Sequence, residues 1–355
     1  MSDAVVISAA AARGALALEA IGVTKDFRLG KGKTLHALRD ASFGLYYSSV
    51  VALVGESGSG KSTVARLIAG QSQPTSGAIR LDGNPVEVAS QKAFRRYKSE
   101  VQYVFQDPFS SLNPVHTVKY HISRSVRLHQ PGADVDKTVD ALIKQVRLTP
   151  AEQFLPKYPH ELSGGQRQRV SFARALAAKP KVLLADEPVS MLDVSIRLEI
   201  LSLLDDLRKN LGIALLYITH DIASARYFAD EVLVMFAGQI VERGPAEEVT
   251  QHPAHPYTQL LVDSSPDPDN LGSVLRGGAR RAEGDGADAP RRSERPATEG
   301  CPFSTRCPFV EDRCRRDVPE VLQISATRGA ACWRLDVAAP GLVSGSRNGT
   351  STTAG

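Results

Sequence analysis

The residues Gly55-Glu56-Ser57-Gly58-Ser59-Gly60-Lys61-Ser62, with Thr63 behind them, have the types and spacing needed to hold a polyphosphate. Gly55, Gly58 and Gly60 reach backbone conformations closed to residues with a Cβ, so successive N–H groups can point into one hollow. Lys61 places a cation for β- and γ-phosphate oxygens, and the Ser62 hydroxyl suits Mg²⁺. A glycine-rich turn with an incidental lysine is the competing reading. The flanking residues disfavour it: an apolar run at 50–54 precedes the turn and a helically spaced run at 63–69 follows. Further along, Asp186-Glu187 pairs a carboxylate suited to Mg²⁺ through water with one suited to general-base chemistry. Gln106 and His220 each stand where an apolar run ends. Ser163-Gly164-Gly165 opens a helix, which is again a phosphate-facing geometry.

These groups need a scaffold, and the apolar patterning supplies one. Short buried strands are expected at 50–54, 101–105, 181–185 and 213–218. Asp186-Glu187 and His220 then fall at C-terminal strand ends, where open α/β sheets bind ligands. Runs at 15–27, 36–46 and 77–83 read as a small antiparallel sheet beside the parallel core. Phe27 ends the first of them, either as a platform for a flat base or as a sheet-edge core residue. Helical patterns at about 117–129 and 135–147 form an inserted lobe, closed by Leu162-Ser163-Gly164-Gly165-Gln166 and a helix over 167–178. A further helix is expected near 195–210.

The 355 residues suffice for one large domain with appendages or for two domains. Apolar content of 42% and charged content of 23% are those of a globular protein, and a formal charge of +4 shows no nucleic-acid footprint. No run approaches the ~18 apolar residues of a membrane span. Residues 1–14 carry Asp3 and no basic cluster, so a disordered extension is expected rather than a secretion signal, in a cytoplasmic protein.

Taken in order, the Walker A turn at 55–62, the Gln106 loop, the 162–166 signature, Walker B at 182–187, the 190–193 loop and His220 resemble the ATP-binding cassette. The resemblance covers about residues 15–263, with a helical subdomain at about 107–178. Met191 stands where alanine is usual, and Asp193 is in place. Narrower features resemble the ATP-binding subunits of oligopeptide/dipeptide importers. They are the runs 106–114 (Gln-Asp-Pro-Phe-Ser-Ser-Leu-Asn-Pro), 158–166 (Tyr-Pro-His-Glu-Leu-Ser-Gly-Gly-Gln) and 255–261 (His-Pro-Tyr-Thr-Gln-Leu-Leu).

The resemblance implies an α/β P-loop NTPase fold with a parallel core sheet, an antiparallel β subdomain and an inserted helical subdomain. It implies an ATPase coupled to import of short peptides, with oligosaccharides or nickel complexes as alternative cargo. ATP would lie against Phe27, Gly55 to Thr63 and Gln106, with Mg²⁺ held through Ser62, Gln106 and Asp186. Glu187 would be the base and His220 its helper at the γ-phosphate. Leu162 to Gln166, with Asp193, would serve the ATP of a partner cassette. That partner is expected to be a distinct paralogue. Two transmembrane permease subunits and an extracytoplasmic binding protein complete the complex, and this subunit sits peripherally on the cytoplasmic face of the inner membrane. A soluble, non-transport cassette ATPase is the weaker reading, because no sustained heptads lie between Ser62 and Leu162.

Residues 264–299 are rich in Pro, Gly, Asp and Arg and read as a flexible linker, and 337–355 as a disordered tail. Between them, in 300–336, lie all four cysteines: Cys301, Cys307, Cys314 and Cys332. Four thiolates suit an iron–sulfur cluster or zinc, and the spacing alone leaves that choice open. Importer subunits of the kind resembled often end in a similar segment, and some bind a [4Fe–4S] cluster there. The resemblance thus implies a small cysteine-rich appendage holding such a cluster, with Zn²⁺ as the alternative.

Overall fold

The computed structural model describes residues 14–30, 33–86, 90–107, 111–265, 296–339 and 342. The expected extension at 1–14, linker at 264–299 and tail at 337–355 lie largely outside these residues, as do Pro108, Phe109 and Ser110. The chain divides into two compact units. Met1–Leu53, Gly60–Thr219 and Phe228–Asp230 make the first; Val54–Ser59, His220–Tyr227 and Glu231–Gly355 make the second.

The first unit runs β1 (Leu16–Leu29), β2 (Lys33–Tyr46), β3 (Val50–Val54, whose last residue is counted with the second), α1 (Lys61–Ile68), β4 (Ser76–Leu81) and β5 (Asn84–Pro85). Four of these strands form an antiparallel sheet in the order β2-β1-β4-β5. Helix α2 (Gln91–Glu100) then leads into β6 (Val101–Val104). The inserted lobe holds α3 (Val118–His129), α4 (Val135–Gln145), α5 (Ala151–Phe154) and α6 (Gly164–Leu176). Strand β7 (Val182–Asp186), α7 (Val194–Leu211) and β8 (Ala214–Thr219) complete the unit.

Parallel pairing joins β6 to β7 and β7 to β8, and β3 borders β8 on the other side. Every residue of β3, β7 and β8 is buried. Unbroken apolar runs belong to strands covered on both faces. At roughly 1.5–3 kcal/mol for each fully buried Val, Leu or Ile, they supply much of the unit's stability.

The lobe helices start where capping chemistry places them. Thr117 Oγ1 accepts from the Tyr120 N–H to open α3, and Asp134 Oδ1 accepts from the Lys137 N–H to open α4. Val118, Ile122 and Val126 recur every four residues along α3, so one fully buried face packs into the lobe.

The second unit contains α8 (Ile222–Phe228), whose last residue is counted with the first. Next comes a hairpin of β9 (Glu231–Phe236) and β10 (Gln239–Pro245). Its turn residues Ala237 and Gly238 have φ of 47° and 85°, the positive values a two-residue hairpin turn needs. Helices α9 (Ala246–Gln251), α10 (Pro256–Asp263) and α11 (Asp312–Arg316) follow, then β11 (Leu322–Gln323), β12 (Gly329–Ala330) and α12 (Leu335–Ala338).

Within this unit the cysteine-rich segment is more than an appendage. Strand β12 pairs with β10 and β11, so the segment extends the hairpin's sheet. The buried Arg328 Nη2 lies 2.9 Å from the buried Glu242 Oε1 and also donates to the His252 carbonyl. Glu242 further accepts from the Ala254 and His255 N–H groups. A carboxylate with this many donors is the way a buried charge is tolerated.

Candidate active site

The phosphate turn is shaped at one end by close approach and at the other by backbone conformation. In the second unit, a Cβ on Gly55 would lie 2.2 Å from the Met235 carbonyl oxygen, so only glycine fits. The Gly238 N–H donates to the Ser59 carbonyl, and the Glu56 N–H donates to the Tyr257 hydroxyl at 2.8 Å. In the first unit, Gly60 stands before α1 with φ of 110°, a conformation that side chains rarely adopt. No side chain caps α1 and its first turn has no acidic residue, so its positive end suits an anion. Lys61 is buried at the start of that helix, and Ser62 is exposed.

Still within the first unit, β7 ends in the two carboxylates. Asp186 accepts from the Tyr103 hydroxyl at 2.6 Å and from the Ser62 hydroxyl, with the Lys61 charge nearby. Burial pushes its carboxyl above the usual carboxylate range, and the neighbouring Glu187 adds to that. Tyr103, Lys61 and Ser62 pull the other way. Glu187 takes a φ of 45°, in the left-handed region uncommon for non-glycine residues, and its N–H donates to the Ile218 carbonyl. Gln106, exposed just past β6, donates from Nε2 to Glu187 Oε2 at 2.8 Å. The chain thus brings Lys61, Ser62, Tyr103, Gln106, Asp186 and Glu187 into one connected set. Tyr103 was not legible as a site residue, since an aromatic in a strand reads as core.

The signature residues sit at the start of α6. Ser163 Oγ accepts from the Gln166 N–H while Gln166 Oε1 accepts from the Ser163 N–H, a reciprocal cap. Leu162 is buried and Ser163 exposed. A Cβ on Gly165 would stand 2.5 Å from Ile196 Cγ2 of α7. Asp193, exposed, precedes α7. Phe27 is 40% exposed beneath the Lys25 ammonium, 5.2 Å from its ring centre, so it is not a core residue. His220 is exposed and belongs to the second unit, where Asp221 Oδ1 accepts from the Ala223 N–H at the head of α8.

The four cysteines converge. All four line one hollow in the second unit with Phe303, His255 and Trp333, and none is in a disulfide. Burial pushes the Cys301 thiol up to about 11 and the Cys332 thiol up to about 12, with the other thiols adding to the shift. Among the described residues, no group of three or more His, Cys, Asp or Glu side chains is placed to hold a metal ion. No helix among them is long and apolar enough to cross a membrane.

Comparison with known proteins agrees with this arrangement. Residues 38–190 match the ABC transporter family model, and residues 241–314 match that of the oligopeptide/dipeptide transporter C-terminal region. The chain is 38% identical to the di/tripeptide transport ATP-binding protein DppF of Pseudomonas aeruginosa, over 90% of this chain and 98% of that one. It is 37% identical to the oligopeptide transport ATP-binding protein OppF of Haemophilus influenzae, over 88% and 92%. Among solved structures, cbiO1 of Clostridium perfringens, part of an ABC transporter complex, superposes with a TM-score of 0.60 at 32% identity. That match covers 66% of this chain and 91% of cbiO1. Matched along nearly the full length of such relatives, the chain belongs to the ATP-binding subunits of oligopeptide/dipeptide-type ABC transporters.

Proposed function

We propose that the chain binds ATP on the Gly55–Ser62 turn, hydrolyses it, and so powers the import of short peptides. The observation that carries the catalytic reading is the hydrogen bond from Gln106 to Glu187, adjoining the Ser62–Asp186 pair. Glu187 accepts a proton from water as the water oxygen bonds to the γ-phosphorus. The bond to the bridging oxygen breaks and its electrons leave with ADP. The Gln106 amide positions that water and holds the base. Lys61 binds the β- and γ-phosphates, His220 steadies the γ-phosphate, and Phe27 stacks on the adenine.

Ser62, Gln106 and Asp186 fit Mg²⁺, because an alcohol, an amide and a carboxylate are hard oxygen ligands. A buried carboxyl with a raised pKa also gains from a nearby cation. When bound, the ion neutralises charge on the phosphate oxygens. Leu162 to Gln166 and Asp193 serve ATP on a second, distinct cassette, and this chain's ATP meets the same loop of that partner. The pair works beneath two permease subunits, peripherally on the cytoplasmic membrane face, fed by an extracytoplasmic binding protein. The C-terminal match and the names of the relatives support peptide cargo.

Cys301, Cys307, Cys314 and Cys332 would hold a [4Fe–4S] cluster. The four cysteines line one hollow and none is in a disulfide, which supports this reading, although among the described residues no group of three or more His, Cys, Asp or Glu side chains is placed to hold a metal ion. Thiolates are soft ligands for iron–sulfur or zinc alike, and the resemblance to importer subunits that bind a cluster at a similar segment favours iron–sulfur, with Zn²⁺ as the alternative. Iron and sulfide at about four each per chain after anaerobic purification support this assignment. Zinc without iron overturns it.

The transport reading is tested in the assembled transporter with the partner cassette's site silenced. Lys61→Ala should abolish ATP-driven uptake of short peptides into vesicles. Undiminished uptake would end this reading, and uptake of sugars or nickel complexes in place of peptides would correct the cargo.

A further inference from the structure

We propose that Arg306 is a positioning residue for the nucleotide reaction, acting through Glu56 to hold the first half of the phosphate turn. The guanidinium meets the Glu56 carboxylate with two parallel hydrogen bonds. Nη1 donates to Oε2 at 2.9 Å and Nη2 donates to Oε1 at 2.8 Å. Such fork-to-fork pairing fixes orientation as well as charge. The Glu56 N–H is itself committed to the Tyr257 hydroxyl. Both the backbone donor and the side chain of Glu56 are thus engaged.

The arginine is held as firmly as its partner. Its Cζ lies 5.7 Å from the Phe236 ring centre and 5.5 Å from that of Phe303. Its backbone N–H and that of Cys307 both donate to the Phe303 carbonyl, and the Ser304 N–H donates to the Cys301 carbonyl. Arg306 therefore rides on the tight turn between two of the four cysteines. An ordered cysteine-rich turn is in this way a condition of tight nucleotide binding. Charge matters too, since an uncompensated carboxylate in a polyphosphate turn would repel its ligand.

This inference rests on the chain being an ATPase and is independent of its cargo, so the readout is ATP binding and turnover rather than uptake. The experiment uses the full-length chain in the assembled transporter, with the partner's site silenced. Arg306→Met should raise KM for ATP about fivefold or more and leave kcat within about twofold, the pattern of lost binding with intact chemistry. In a Glu56→Gln background the same substitution should move KM by less than about twofold, because the two residues act as one unit. Arg306→Lys keeps the charge, loses the fork, and should also raise KM. It is the milder variant should Arg306→Met fail to assemble. An unchanged KM in Arg306→Lys, or an equal effect of Arg306→Met in both backgrounds, overturns the proposal.

Discussion

Glu187 shows how much a single residue can be asked to do. Its backbone occupies the left-handed region and its carboxylate takes the Gln106 amide. A non-glycine residue in that conformation persists only when its surroundings hold it there. The Glu187 N–H bond to Ile218 and the Ser190 N–H and hydroxyl bonds to its carbonyl do so. Glu187→Gln keeps the shape and the backbone but loses the base. Turnover should fall by about 10²–10⁴-fold while ATP binding stays within a few-fold, measured as single-turnover hydrolysis beside equilibrium binding. Hydrolysis at the parental rate would remove Glu187 from the role. Asp186 and Glu187 were legible as a pair in the sequence because they close an apolar run on the same expected sheet as the glycine turn, at a C-terminal strand end where open α/β sheets bind ligands. Tyr103 was not, since its hydroxyl could have pointed anywhere.

Elements are joined at a few polar junctions, and one of them reports on pH. Asp82, in the turn between β4 and β5, accepts from the Tyr47 hydroxyl at 2.7 Å and from Lys181 Nζ at 2.7 Å. Burial works to raise the Asp82 carboxyl, but Lys181 and Tyr47 outweigh it and its pKa is lowered. Burial and Asp82 push the Tyr47 phenol up to about 12. A lowered acid stabilises the fold above its unfolded pKa near 3.8 and loses that contribution as pH falls through the folded value. A raised phenol stabilises up to pH 10 and loses its contribution between pH 10 and about 12. Asp82→Asn should therefore cost about 0.5–1 kcal/mol at pH 7, small because the pair is partly solvated. It should cost less near pH 3, as read from denaturant midpoints at both pH values. An equal loss at both would show that the charge is not what binds.

The α6–α7 contact is steric. Gly165→Ala should cost about 1–3 kcal/mol in a denaturant titration, because its methyl meets Ile196 Cγ2. Adding Ile196→Ala, which removes that methyl, should return most of the loss caused by Gly165→Ala relative to Ile196→Ala alone. Additive losses would place the strain elsewhere. The elements themselves were readable: β3, β7 and β8 as unbroken apolar runs, and α3 and α4 as helical patterns at about 117–129 and 135–147. The reason for Gly165 was not readable, since a signature glycine looks like a phosphate ligand whether or not a neighbouring helix also demands it.

At the scale of the whole molecule, the last part of the chain folds with segments far from it in sequence. Strand β12 is two residues long, too short for any periodicity, and it pairs with β10 across the linker region. Arg306 reaches Glu56 across 250 positions. Neither partnership leaves a local signal, which is why the cysteine-rich segment read as an appendage. The buried Arg328–Glu242 pair distinguishes an integral segment from an attached one. Were the segment merely attached, Arg328→Met would loosen residues 296–339 and leave the β9–β10 hairpin unaffected. With Glu242 buried and held by Arg328 as well as the Ala254 and His255 N–H groups, losing the cation strands a carboxylate inside the second unit. That should cost about 3–5 kcal/mol. Glu242→Gln in the same chain should recover part of the loss, since it removes the stranded charge yet still accepts from the two N–H groups. Hydrogen exchange read at Val232 to Met235 is the discriminating measurement. Faster exchange there in Arg328→Met, slowed again by the second substitution, marks the segment as part of the hairpin's own fold, and unchanged exchange in both chains refutes it.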